Sequence, residues 1–106
     1  MGTFIGTSTG IGSSSNDVNT RKIVLSDPFI TQRDDVLFYE EAKLIYTPFA
    51  QALDWYQDDV LVPDFSGLTE IQIRLDIPAS YYFIVTYYFL DIPPIELRSS
   101  NQIIIT

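Results

Sequence analysis

The residues Gly6-Thr7-Ser8-Thr9-Gly10-Ile11-Gly12 carry glycines at the Gly-x-x-x-Gly-x-Gly spacing of a loop that cradles a dinucleotide pyrophosphate. Tyr39 and Lys43 also stand four apart, as in a tyrosine–lysine pair that relays a proton during hydride transfer. Such a loop must follow a buried strand and open a helix, because the helix's free amides and dipole hold the anion. The five residues ahead of Gly6 do not make a buried strand. Ser13-Ser14-Ser15-Asn16-Asp17 follows, and that run cannot build a packed helix. The spacing is present without its context, so no dinucleotide site is expected.

Asp54, Asp58, Asp59 and Asp64 could supply oxygen ligands to calcium, but their spacing lacks the alternating ligands, central Gly and terminal Glu of an EF-hand loop. They read as solvated loop acids, and Asp34-Asp35 as turn residues ahead of a strand. Glycoside hydrolysis needs two carboxylates flanking a cleft, and no pair stands out. The chain has no His and no Cys, which removes the commonest general base, the commonest metal ligand and thiol nucleophiles together. No Ser sits in a strained elbow sequence. Catalysis, cofactors and metals are therefore not expected. Trp55, Tyr56, Tyr81, Tyr82, Tyr87 and Tyr88 could form a sugar-binding platform, although packing in a core or an interface accounts for them more simply.

These side chains belong to a chain of 106 residues, 46% apolar, which is enough for one domain with a core of its own. Fourteen acidic against six basic residues give a net charge of −8. That balance argues against nucleic acid and anionic lipid, where positive charge supplies the affinity. It suits the solubility of an aromatic-rich protein. Residues 1–20 show no basic segment followed by an apolar one, so no signal peptide is expected.

Residues 1–20 are dominated by Gly, Ser, Thr and Asn and read as an extended arm. Phe4, Ile5 and Ile11 are its apolar anchors, placed to dock on another surface. Residues 21–106 read as the folded domain. Strands are expected at 22–26, 35–39 and 44–46, with a polar turn at 40–43. Residues 49–53 read as a helical turn or loop. Further short strands are expected at 54–56 and 60–62. The clearest alternation, Glu-Ile-Gln-Ile-Arg-Leu-Asp-Ile at 70–77, is that of a half-buried strand. Pro78-Ala79-Ser80 turns it into 81–90, giving an antiparallel hairpin. Residues 102–106 form a last strand. The expected fold is all-β: a single small antiparallel β-sandwich of about seven strands with an extended N-terminal arm.

Residues 81–90 read Tyr-Tyr-Phe-Ile-Val-Thr-Tyr-Tyr-Phe-Leu, a strand apolar on both faces. Side chains alternate across a strand, so only one set can face a given core. The other set, with Tyr82 and Tyr88 at its heart, is expected to meet another subunit or the arm.

The order of these segments resembles a small β-sandwich module of bacteriophage virion proteins, especially tail, fibre and neck components. The residues that carry the resemblance are Ile23-Val24-Leu25, the Asp27-Pro28 break, Val36-Leu37-Phe38-Tyr39, a polar turn and Leu44-Ile45-Tyr46. Asp54-Trp55, the alternating strand, Pro78-Ala79 and Ile84-Val85-Thr86-Tyr87-Tyr88 complete it. Glu40-Glu41-Ala42 replaces an Asn-Gly turn, and Ala79-Ser80 replaces Gly-Asp. The resemblance implies a structural component of a virion, self-assembling as a homo-oligomer beside other virion proteins in the tail, neck or fibre. A capsid decoration protein and a carbohydrate- or host-receptor-binding module are the alternatives. The expected interface residues are Phe4, Ile5, Ile11, Tyr82, Tyr88, Ile103, Ile104 and Ile105, the last three forming a terminal strand able to add to a neighbour's sheet.

Overall fold

The computed structural model describes residues 23–106. The arm, with Phe4, Ile5 and Ile11, lies outside the described residues. The described chain is all-β and every strand pairing is antiparallel. Ten strands follow one another: β1 (Val24–Ser26), β2 (Phe29–Arg33), β3 (Val36–Glu40), β4 (Lys43–Leu44), β5 (Ala50–Gln57), β6 (Val60–Leu61), β7 (Glu70–Gln72), β8 (Ala79–Tyr88), β9 (Ile95–Arg98) and β10 (Ile103–Ile105). A 3-10 turn, Pro63–Phe65, joins β6 towards β7.

Two sheets enclose the core. One is β2-β3-β7; the other runs β6-β5-β8, with β9 and β10 laid end to end along the far edge of β8. A two-stranded ribbon, β1-β4, stands apart from both. Leu53 and Trp55 on β5, and Tyr81, Phe83, Val85 and Tyr87 on β8, point inward to meet Ile30, Leu37, Ile71 and Ile73. Trp55 and Phe83 pack edge-to-face at 5.3 Å, and Tyr39 meets Phe83 the same way at 5.0 Å. Such aromatic pairs add about 0.5–1.5 kcal/mol each beyond the area they bury. Trp55 also donates its indole N–H to Leu68 O at 2.8 Å, so its polar edge is satisfied inside the core.

Tight turns set the registers. Asp58 and Asp59 link β5 to β6 with φ of 52° and 67°, the two consecutive left-handed residues that a type I′ hairpin needs. Asp58 then anchors the start of β8: its carboxylate accepts from Ser80 N at 2.9 Å, and its own N–H donates to Ser80 O. Asp34 takes the left-handed conformation, φ 55°, in the two-residue turn between β2 and β3. Asp34-Asp35 is thus turn chemistry, as its composition indicates.

Several segments depart from the sequence expectation, for reasons of tertiary pairing. The alternating run at 70–77 does not form a hairpin with β8. Only Glu70–Gln72 is a strand, and it pairs with β3, Leu37 opposite Ile71. Ile71 and Ile73 are buried as the alternation demands, but Leu75 and Ile77 lie 46% exposed where the chain crosses between sheets. Periodicity gives the buried face of a strand and not its partner. Residues 49–53 do not form a helical turn; Ala50 to Leu53 open β5, the strand between β8 and β6. The low strand propensity of Ala-Gln-Ala is overridden by pairing along eight residues of β8. The polar stretch at 40–43 is not a hairpin turn, since β3 pairs with β2 and β7 while β4 pairs with β1. β2, just after Asp27-Pro28, and β9, just after Pro93-Pro94, are strands that the proline breaks conceal.

Candidate functional site

Which faces of the fold are left for partners follows from the alternation of β8. Its inner set, Tyr81, Phe83, Val85 and Tyr87, is 3% exposed or less. The outer set is Tyr82, Ile84, Thr86 and Tyr88. Tyr82 does not offer a free surface, because its own chain covers it. The Tyr56 ring stacks on it at 5.0 Å with an interplanar angle of 3°, and the Arg98 guanidinium lies 3.7 Å from its ring centroid. Tyr56 stands directly opposite Tyr82 and Arg98 sits diagonally across on β9, so three strands present one stack and leave Tyr82 8% exposed. The expected assembly role for Tyr82 gives way to a packing role. Tyr88, at the other end of β8, stays half-buried, with Phe49 tilted against it at 6.5 Å.

The terminal strand divides in the same way. Ile103 and Ile105 pack against the core from β10, while Ile104 faces outward at 61% exposure. β10 already pairs with β8 along one edge, which leaves its second edge and Ile104 as its contribution to any contact. Of the six aromatics considered for a sugar platform, Tyr56 and Tyr88 are half-buried and the other four are buried. Trp55, Tyr81, Tyr82 and Tyr87 are all inside or covered, so their faces are not open to a pyranose ring.

One group of exposed apolar side chains lies at one end of the sandwich, while others such as Val60, Leu61, Leu75, Ile77 and Ile104 are exposed elsewhere. Tyr46, Phe49 and Leu90 are 55%, 63% and 85% exposed. With Thr47, Phe89, Asp91 and Ile92 they line an open cleft of about 450 Å³ between the β4–β5 connection and the segment that follows β8. The sequence explains the cleft. Pro48 interrupts the chain after β4, and Phe49 N–H reaches Tyr88 O at 2.9 Å, so the connection is pinned to the end of β8. Beyond Tyr88, Asp91-Ile92-Pro93-Pro94 cannot continue a ladder, because proline lacks the N–H. The two loops therefore splay with their apolar side chains between them. Leu25 on β1 and Ile45 beside Tyr46, both exposed, extend the apolar surface onto the ribbon. Patches of this kind, rather than single exposed leucines, mark interaction sites.

A chain of hydrogen bonds runs from the buried Ala42 amide out to the exposed side chain of Gln51. Ala42 N–H donates to the Tyr87 hydroxyl at 3.0 Å, the Tyr87 and Tyr39 hydroxyls are 2.6 Å apart, and Tyr39 lies 3.2 Å from Gln51 Oε1. One proton order satisfies every group: Ala42 to Tyr87, Tyr87 to Tyr39, Tyr39 to Gln51. Burial, reinforced by the Tyr87 hydroxyl, pushes the Tyr39 hydroxyl well above the ordinary tyrosine range. Tyr39 is thus held neutral and occupied, which suits a structural hydroxyl and not a proton relay. Lys43 lies on β4, away from β3 in the sheet order.

Among the described residues no three acidic side chains converge to hold a metal ion. Asp58 is committed to Ser80, and Asp54 accepts from Ser66 Oγ at 2.8 Å. Arg74 and Asp76 form an exposed ion pair at 2.7 Å, too solvated to act as a site. Compared with known proteins, the chain matches no family model, no curated protein and no solved structure.

Proposed function

We propose that this protein is a self-assembling structural component of a bacteriophage virion, in the tail, neck or fibre apparatus. The observation that carries the reading is the apolar cleft at one end of the sandwich, flanked by the exposed side chains of Tyr46, Phe49 and Leu90. A lone domain gains nothing by holding such side chains in water. An assembled one buries them. The free edges of β6 and β10, with Val60, Leu61 and Ile104 exposed, give a second means of contact. The order of strands and breaks that resembles virion modules supports the placement in a particle, and the net charge of −8 keeps the free subunit soluble.

The test is the state of the full chain in solution and in particles. Light scattering at high protein concentration should give a discrete homo-oligomer of closed symmetry. Peptides of the chain should be found by mass spectrometry in purified particles of the phage that encodes it. A strict monomer at every concentration, together with absence from the particles, would overturn the proposal.

A further inference from the structure

The described chain begins beside the apolar cleft. Ile45 N–H donates to Ile23 O at 2.9 Å, and Val24 stands opposite Leu44, so the chain enters the fold one residue from Tyr46 at the cleft mouth. The 22 residues ahead of Ile23 thus join the domain at the end that carries the cleft. In those residues the large apolar groups are few and spaced: Phe4-Ile5, then Ile11, then the polar spacer Gly12-Ser13-Ser14-Ser15-Asn16. The single acidic residue of the first 20, Asp17, lies beyond the spacer, so a segment carrying Phe4, Ile5 and Ile11 brings no like charge to the rim at Asp91. Eleven residues lie between Ile11 and Ile23, a reach of about 40 Å when extended, against a radius of gyration of 14.1 Å for the domain.

From this juxtaposition we infer that the cleft lined by Tyr46, Phe49, Phe89, Leu90 and Ile92 is the receptor for Phe4, Ile5 and Ile11 of a second copy of this chain. The inference rests on the self-assembly reading and names its contact. The cleft has the two features a peptide-docking groove needs, an apolar floor for side-chain anchors and an open mouth for the backbone. The spacer has the length to leave one domain and reach the next. Exchange of arms in this manner lets each subunit both give and receive, so contacts propagate around a closed ring.

The absence of cysteine from the chain allows a direct test. Two full-length single variants are made, Gly12→Cys beside the Ile11 anchor and Thr47→Cys on the cleft wall, and mixed under mild oxidation. The expected result is a disulfide-linked dimer of the two variants. Adding Phe4→Ser and Ile11→Ser to the first should lower its yield at least fivefold. Replacing the second by Thr106→Cys, next to Ile105 at the opposite end of β8, should give no specific product. Failure of the mixed pair to link would overturn the inference, and so would efficient intrachain linkage in the Gly12→Cys/Thr47→Cys double variant. Light scattering of the same samples separates the two readings. An oligomer without the link discards the arm contact alone, and a monomer discards both.

Discussion

Tyr87 is the residue on which the inside of this domain turns. Its ring is 1% exposed and its hydroxyl bridges the Ala42 amide and the Tyr39 hydroxyl. Tyr87→Phe keeps the ring and removes the bridge, leaving a buried amide without an acceptor. It should lower unfolding stability in urea by about 1–3 kcal/mol, the usual cost of stranding a buried polar group. A variant as stable as the parent would show that water replaces the hydroxyl. Three tyrosines of the domain, Tyr39 of this network among them, set the response to pH. Burial raises the hydroxyls of Tyr39, Tyr81 and Tyr82 above the ordinary range, with Tyr87 adding to it at Tyr39, Asp58 at Tyr81 and Asp59 at Tyr82; Arg98 opposes the rise at Tyr82. The folded state therefore binds these protons more tightly than the unfolded chain, whose tyrosines ionise near pH 10. Their contribution is fully present below that value and is lost as pH climbs above it. Melting temperature should be insensitive to these tyrosines from pH 7 to about 9 and fall steeply beyond about 10, where unfolded tyrosines ionise. Tyr39→Phe should flatten part of the alkaline limb.

At the scale of elements, the C-terminal segment is what ties the two sheets together. β9 and β10 both pair with β8, and between them residues 99–102 bulge out against only two residues of β8. The bulge is used. Ser99 exchanges hydrogen bonds with Phe83, Ser100 N–H donates to Pro28 O, and the Asn101 amide both accepts from Ile30 N at 2.7 Å and donates to Ile30 O at 2.8 Å. Asn101 thereby acts as a strand partner for β2, closing an edge that would otherwise be open. Asn101→Ala should cost about 1–2 kcal/mol in chemical unfolding, the worth of two such bonds. Hydrogen exchange at Ile30 should quicken in step, and unchanged exchange there would refute the role. None of this was legible from the Ser-Ser-Asn-Gln tetrapeptide, which reads as an ordinary turn. Nor was β2, because Asp27-Pro28 marks a break without saying that a strand resumes immediately.

For the whole molecule, the arrangement separates a sealed core from an apolar end. Phe49→Ser with Leu90→Ser alters only exposed side chains, where substitutions usually shift stability by no more than about 0.5 kcal/mol. The pair should reduce the oligomeric fraction seen by light scattering while leaving the melting temperature nearly unchanged. A large drop in melting temperature with assembly intact would assign those side chains to the fold instead. Tyr82→Ser should do the opposite, because Tyr82 is wedged between Tyr56 and Arg98 of its own chain.

What the sequence determined by itself was the class of the fold. Alternation placed Ile71 and Ile73 inside, although it put the exposed Leu75 and Ile77 there too, and β-branched and aromatic density marked 81–90 as a strand apolar on both faces, because those properties are local to a few residues. Composition is local in the same way: the chain has no His and no Cys, and its acids are scattered. Tertiary structure decided everything that depends on which strand lies beside which. It sent 70–72 to β3 and β8 to β5, made a strand of Ala-Gln-Ala, and covered Tyr82 while leaving Tyr46, Phe49 and Leu90 in water. Pairing partners are chosen by how two sheets share one core, and that choice is a property of the whole chain that no window of it contains.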